Sequence, residues 1–343
     1  MTAAEGSFIG FAKQTAKGTP NVTDANFQYL LMQQGAISPS NVVLPLDPEI
    51  GGGPLIRDVK KVGVTSGGAM EFIPRPATLG AMLLGALGLD TPVANGAAYD
   101  HVFTFNTDPF ALPYYTFRVA PGNIWGEQYQ DCKISSLSLN WRGANFLRGQ
   151  LGIIGGLPAK VATTTWSALT YLDSGPQFIS PVATMELPTG TPVKVLSGSL
   201  DIASSIPMDE QWIVGSYSPD DQQVAARSLS LSLVVKIVDA TLYSKVMYDS
   251  AGGSAWTASM MREANINMNI QSDQLADTGK PYNLVINANG NSGATANIIW
   301  ACSPIGLRAG KQVIMSMNGM IVADPTVTNK PISIKLTNKT ATY

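Results

Sequence analysis

Few residues in this chain can do chemistry, and those few are scattered. There is one histidine, His101, at the head of the string HVFTF, and there are two cysteines, Cys132 and Cys302. A catalytic base needs an oriented partner and a nucleophile or substrate within reach, and a lone histidine entering a strand brings neither. One histidine and two distant cysteines also cannot build a zinc or iron set at ligand spacing. Asp209-Glu210 and Asp220-Asp221 are adjacent acids that could act as paired carboxylates or a weak calcium site. Neighbouring side chains on a strand point to opposite faces, so both pairs read as solvated turns. Gly51-Gly52-Gly53-Pro54 is glycine-rich but lacks the Lys-Ser/Thr of a phosphate loop, and no GxSxG elbow is present. These residues predict no active site, no metal and no cofactor: the chain reads as something other than an enzyme.

The elements around them are more informative. Residues 67–88, GGAMEFIPRPATLGAMLLGALG, read as a strand running into a short helix. Met70 and Phe72 alternate with Glu71, and Pro74 and Pro76 end the strand because proline has no N–H for a ladder. Leu79, Met82, Leu83, Ala86 and Leu87 then form one apolar stripe at helical spacing, with Pro76 in the first turn and Gly88 at the C-terminus. The chain repeats the pattern at 228–250, SLSLSLVVKIVDATLYSKVMYDS. Here Leu229, Leu231, Leu233 and Val235 alternate with serines, Asp239 is a good N-cap, and Ala240-Thr241-Leu242 matches Ala77-Thr78-Leu79. Pro113-Tyr114 and Cys132 follow the first copy, and Pro281-Tyr282 and Cys302 follow the second, in the same order. Repeated landmarks in order predict an internal duplication. On that reading the cysteines hold matching places in separate cores, as two free thiols in a reducing compartment.

Other period-2 runs predict strands at 99–105, 114–119, 193–202, 209–214, 266–271, 313–317 and 332–336, and a hairpin over 133–151 turning at Gly143. Residues 158–192 read as the connection between halves. The fold class is therefore mostly β: two tandem β-sandwich or barrel modules, each with one short helix, over 1–165 and 166–343. Ala36–Val62, with Pro39, Pro45, Pro48 and the Gly51–Gly53 run, reads as one long irregular loop. It gathers Asp47, Glu49, Arg57, Asp58, Lys60 and Lys61, which fit either a contact arm toward another subunit or a solvated loop.

Composition narrows the function. The chain has 343 residues, enough for two domains, and 13% of them are charged against a usual share of about 25%. The polar surface is thus made of Ser, Thr, Asn and Gln, which offer little repulsion between copies. A net charge of −2 gives no basic field to hold nucleic acid. The opening MTAAEGSFIGFAKQTAKG lacks the basic and apolar regions of a secretory signal. The longest apolar run, Leu79–Leu89, is about half of the ~20 residues a membrane span needs.

Several strings together carry a resemblance. GFAKQTAKGTP (10–20), the 67–88 string, HVFTF (101–105) and LPYYTFRV with YQDCKISSLSLNW (112–119 and 129–141) resemble the major tail tube proteins of long-tailed, siphovirus-type bacteriophages. SGSLDIA (197–203) and ARSLSLSLVVKIVDATLY (226–243) resemble a second module of the same family. The resemblance implies subunits that form rings around a channel, and rings that stack into a hollow, non-contractile tube. Genome DNA passes through its lumen during ejection without specific binding. Two fused modules imply homotrimeric rings of pseudo-sixfold symmetry, with hexameric rings the alternative. The implied partners are further copies of the chain and the tape-measure, tail-terminator and baseplate proteins. The place is the virion tail, after synthesis in the host bacterial cytoplasm. The same analogy makes Ala36–Val62 the arm that reaches the next ring. A different virion protein, of the baseplate or a capsid decoration, would share this composition. A carbohydrate-binding or glycosidase β-sandwich would need an aromatic platform or a carboxylate pair about 5–9 Å apart, and the tryptophans are scattered.

Overall fold

The computed structural model describes residues 7–343 apart from 51–54, 107, 109–110, 163–165, 167–174, 188–190, 209–210, 249–251, 256–261, 264–265, 289–297, 303–304, 306–311 and 323–330. The first half supplies β1 (Phe8–Lys13), β2 (Gln28–Leu30), β3 (Met32–Pro45), β4 (Val59–Phe72), α1 (Pro76–Leu87), β5 (Gly88–Asn95), β6 (Ala98–Phe105), β7 (Tyr115–Ala120), β8 (Gly126–Arg142), β9 (Arg148–Gly155) and β10 (Pro158–Val161). The second half supplies β11 (Ala183–Glu186), β12 (Val195–Ser205), β13 (Ala226–Lys236), α2 (Ala240–Tyr248), β14 (Arg262–Glu263), β15 (Ile266–Asp277), β16 (Lys280–Ala288), β17 (Ile298–Cys302), β18 (Ile314–Ile321) and β19 (Ser333–Asn338).

These strands make two sheets facing across a core, mostly β as the period-2 strings predict. The larger has 13 strands, and its main wall runs β3-β4-β9-β8-β12-β13-β18-β17-β14, antiparallel at every step. β8 is long enough to serve two neighbourhoods. Its first part pairs with β7 and β10, and its last part pairs with β9 and β12. The second sheet has six strands in the order β11-β15-β16-β19-β6-β5. Both sheets take strands from both halves, and the main apolar cluster does the same, joining Phe72, Met82 and Ile134 to Leu231, Met317 and Ile334.

The strand-to-helix turn at 72–88 forms as the residues dictate. Pro76 opens α1, and Gly88 ends it in the left-handed region (φ 97°), its N–H donating to the Leu84 carbonyl. The helix does not present one stripe, however. Leu84 on its far side is also buried, because the C-terminal segment covers that side and brings the Tyr343 ring over Gly80. Asp239 caps α2 as expected, its Oδ1 accepting from the Thr241 N–H at 2.8 Å. That helix is set less deeply, with Ser244 and Val246 its buried residues and Leu242 and Tyr243 half-buried against the core.

Three local expectations change. Ala36–Val62 is not an irregular loop: β3 and β4 form one long antiparallel hairpin out to Pro45 opposite Val59. Pro39 and Pro45 misled because they lie on an edge strand, where the missing N–H faces no partner. The strand expected at 209–214 is absent over 211–214, which form a turn and coil, while 209–210 lie outside the described residues. The two cysteines do lie on strands of like place, β8 and β17, but not in the same register. Cys302 pairs with Met317 as Leu137 pairs with Leu151, and Cys132 precedes that position. Cys132 is a free, buried thiol, pushed up by burial.

Candidate assembly surfaces

Chemistry-bearing side chains are used here for packing. His101 is fully buried between Asp90, Thr340 and the rings of Phe103 and Tyr343. Asp220 is exposed and pairs with Lys17 at 3.4 Å. Asp221 is more than a solvated turn residue. It accepts a hydrogen bond from the Tyr114 hydroxyl, and despite partial burial this bond and nearby Lys133 hold its carboxyl below the usual range. Asp209 and Glu210 lie outside the described residues. Among the described residues no three His, Cys, Asp or Glu side chains gather as a metal would require. No described helix is long and apolar enough to cross a membrane.

Two surfaces stand out instead. The first is the hairpin arm. The end of β3, the start of β4 and the described residues between them are exposed, so the arm leaves the body of the molecule. The six charged residues singled out in the sequence all lie on it. Asp47, Glu49, Arg57 and Asp58 stand at the tip and Lys60 and Lys61 at the start of β4, every one exposed. Asp58 closes the tip: its carbonyl accepts from the Leu46 N–H at 2.8 Å and its carboxylate lies 2.6 Å from Lys60 Nζ. Charge was the signal in the sequence, yet the larger feature is apolar. Val43, Leu44, Leu55 and Ile56 are 56–78% exposed on a segment only a hairpin thick. Side chains on both faces of an isolated hairpin stay wet, and this much exposed aliphatic surface makes the arm a candidate contact site.

The second surface is the open face of the long wall. Across it, Glu71 stands opposite Gln150, Gln150 opposite Ser138, Ser138 opposite Asp201 and Asp201 opposite Ser230. One step along, Arg148, Asn140, Ser199, Ser232 and Asn318 form a second row. Ser138 donates to Asp201 Oδ1, Ser199 donates to Asp201 Oδ2 at 3.0 Å, and Ser232 donates to Asn318 Oδ1 at 2.9 Å. The other face carries Leu139, Leu200, Leu231, Leu233 and Met317 into the core. The alternation that makes the strands thus makes one wall dry inside and mostly hydroxyl- and amide-covered outside, with Glu71, Asp201, Arg142 and Arg148 as its charged members.

The wall also has an internal regularity. From its β3 end, the first four strands run hairpin β3-β4, then β9, then β8, with α1 after β4. The next four run hairpin β12-β13, then β18, then β17, with α2 after β13. Each hairpin breaks register at the same point, between Met32 and Gln34 in one and between Val195 and Ser197 in the other. Adding 163 to a number in the first hairpin gives its counterpart in the second: Gly35 opposite Met70 becomes Gly198 opposite Leu233. The two runs are joined by β8 and β12, paired from Ser136–Ala203 to Arg142–Ser197.

Residues 5–314 match the family described as phage tail tube protein. No curated protein matches the chain.

Proposed function

The chain belongs to the phage tail tube protein family, and from that premise we propose that it is the repeating subunit of a hollow, non-contractile siphovirus-type tail tube. In this reading 1–165 and 166–343 are two tube modules from an internal duplication, and three chains close into a ring of pseudo-sixfold symmetry. The observation that carries it is the seam between β8 and β12. It joins two four-strand runs of identical order edge to edge, as a ring must join one subunit to the next. The outer strands, β3 at one end and β17 with β14 at the other, leave sheet edges that a second copy can satisfy. A contact of this head-to-tail kind closes into a ring, and a second one along the axis gives an open stack.

The open face of the wall suits the lumen. Its rows of Ser, Asn and Gln carry Glu71 and Asp201, and the exposed Arg142 and Arg148 beside them are two isolated cations rather than a cationic array. Each phosphate-neutralising Lys or Arg would add non-specific affinity and slow the sliding of DNA. The exposed arm, with Asp47, Glu49, Arg57, Asp58, Lys60 and Lys61 and its aliphatic residues, is the contact to the adjacent ring. Tape-measure, terminator and baseplate proteins are the other partners of such a tube, which is made in the host cytoplasm and ends in the virion.

Electron microscopy of the purified chain over a concentration series, with and without a tail-initiating complex, tests this. Hollow tubes or stacked annuli are expected. A chain that stays monomeric throughout and fails to join tails when the initiator is supplied contradicts it.

A further inference from the structure

The two hairpins of the long wall are counterparts to the residue up to one point and then part ways. Val42 stands opposite Gly63 in the first, and Ser205 opposite Ala226 in the second, each pair related by 163. Beyond it the first ladder continues to Pro45 opposite Val59 and runs out into the arm. The second ladder stops. Residues 206–225 fall at the numbers of 43–62 raised by 163, and over the described part of them, 206–208 and 211–225, they turn back onto the first half.

The way they turn back is specific. Ile206 and Val224 pack with Leu112 in a small buried cluster. The buried Lys133 donates to the Gln222 carbonyl at 2.8 Å, with its ammonium over the Tyr114 ring, and the Tyr114 hydroxyl donates to Asp221. Asp220 pairs with Lys17. The remaining contacts are to the root of the arm itself. β9 ends opposite Ser66, so the edge of β4 is open before that point, and there the Val64 N–H donates to the Tyr217 carbonyl at 2.8 Å. Trp212 lies so close over Gly63 that a Cβ there would fall 2.3 Å from its ring. A main-chain bond and an indole thus hold the two residues from which the arm departs.

We infer that 211–225 is the second half's arm in a folded-back form, and that it braces the root of the first half's arm. Each chain therefore offers one arm, not two, for contact with another copy along the axis. This rests on the tube reading for the partner, but the brace itself belongs to the single chain. A hairpin free at its root would sweep a wide cone and give up entropy on docking; a braced one is already aimed.

The test uses the full chain and two variants, Trp212→Ala and Gly63→Val, the second leaving the loop's sequence intact while displacing the indole. Hydrogen exchange in the unassembled chain is expected to show the Val64 amide exchanging about tenfold faster in both variants, with the β12–β13 ladder unchanged. Unchanged exchange at Val64 in both overturns the brace, whether or not the protein forms tubes. In tubes of the parent chain, density is expected to cross each axial junction once per chain, from 43–62. Crossing by 211–225 as well, or an arm folded onto the second half of a neighbour in its own ring, overturns the single-arm count. Parent chains that form no tube count against the tube reading instead, and exchange at Val64 then decides the brace.

Discussion

His101 shows what a titratable residue does in this molecule. Its Nδ1 lies 2.8 Å from Asp90 Oδ2 and its Nε2 lies 2.7 Å from the Thr340 carbonyl oxygen. A carboxylate and a carbonyl both accept, so both ring nitrogens donate and the ring carries its proton. Burial alone would lower its pKa, but the bonds to Asp90 and Thr340 and the charges of Asp90 and Asp100 more than offset this and hold it above the ordinary value. A folded pKa above the unfolded one gives stability that is complete below the unfolded value of about 6.5 and is lost as pH rises through the folded value. His101→Leu removes that term and leaves the Asp90 carboxylate buried without its partner, which costs about 3 kcal/mol. Denaturant unfolding of parent and variant across pH checks this: the gap between them is widest below the unfolded value and narrows as pH rises. A gap that widens with pH contradicts the ion pair. In the sequence, His101 could be read as structural because nothing near it could be its catalytic partner. Its true partners were invisible, since Thr340 is distant in the chain and reaches it only when the C-terminal segment closes over α1.

At the scale of elements, strands with one dry face were legible because their alternation is written locally. Leu229, Leu231 and Leu233 between serines could belong to little else, and β13 runs where they place it. The arm was only half legible. Its charges drew notice, but prolines and glycines disguised a hairpin, and exposed aliphatic residues in a presumed loop carry no pattern. For the proposed contact, Val43 and Leu44 offer more than the lysines do, since surface ion pairs such as Asp58–Lys60 contribute little. The double variant Val43→Asp, Leu44→Asp is therefore expected to leave the chain's own unfolding free energy within about 0.5 kcal/mol of the parent, because both side chains are already in water. The same variant is expected to abolish stacking while leaving single rings. Charge neutralisation of Lys60 and Lys61 should only weaken it. Sedimentation and thermal unfolding on the same samples separate the two effects. A variant that unfolds rather than failing to stack would make the arm part of the core. The folded-back loop at 211–225 was not legible at all: it is held by Val64, Lys133 and Tyr114, each remote in sequence.

For the whole molecule, low charge and a repeated strand order both suit the proposed tube. A wall that must pair at both edges cannot carry many ions there, because each would have to be desolvated. A lumen wall that faced passing DNA would likewise carry few cations. The repeated strand order has a local echo in Ala77-Thr78-Leu79 and Ala240-Thr241-Leu242, whereas Cys132 and Cys302 stand out of register on strands of like place. What no local pattern could give was the sharing of both sheets between halves, which depends on β19 lying between β16 and β6 and on β12 lying beside β8. On the proposed reading, the chain already contains one of the seams of its ring. The copy number and rotational symmetry of a single ring, by native mass measurement and averaged images of the same particles, test it most directly. Three chains per ring, with six nearly equal sectors in projection, is the predicted result; six full-length chains per ring would contradict it.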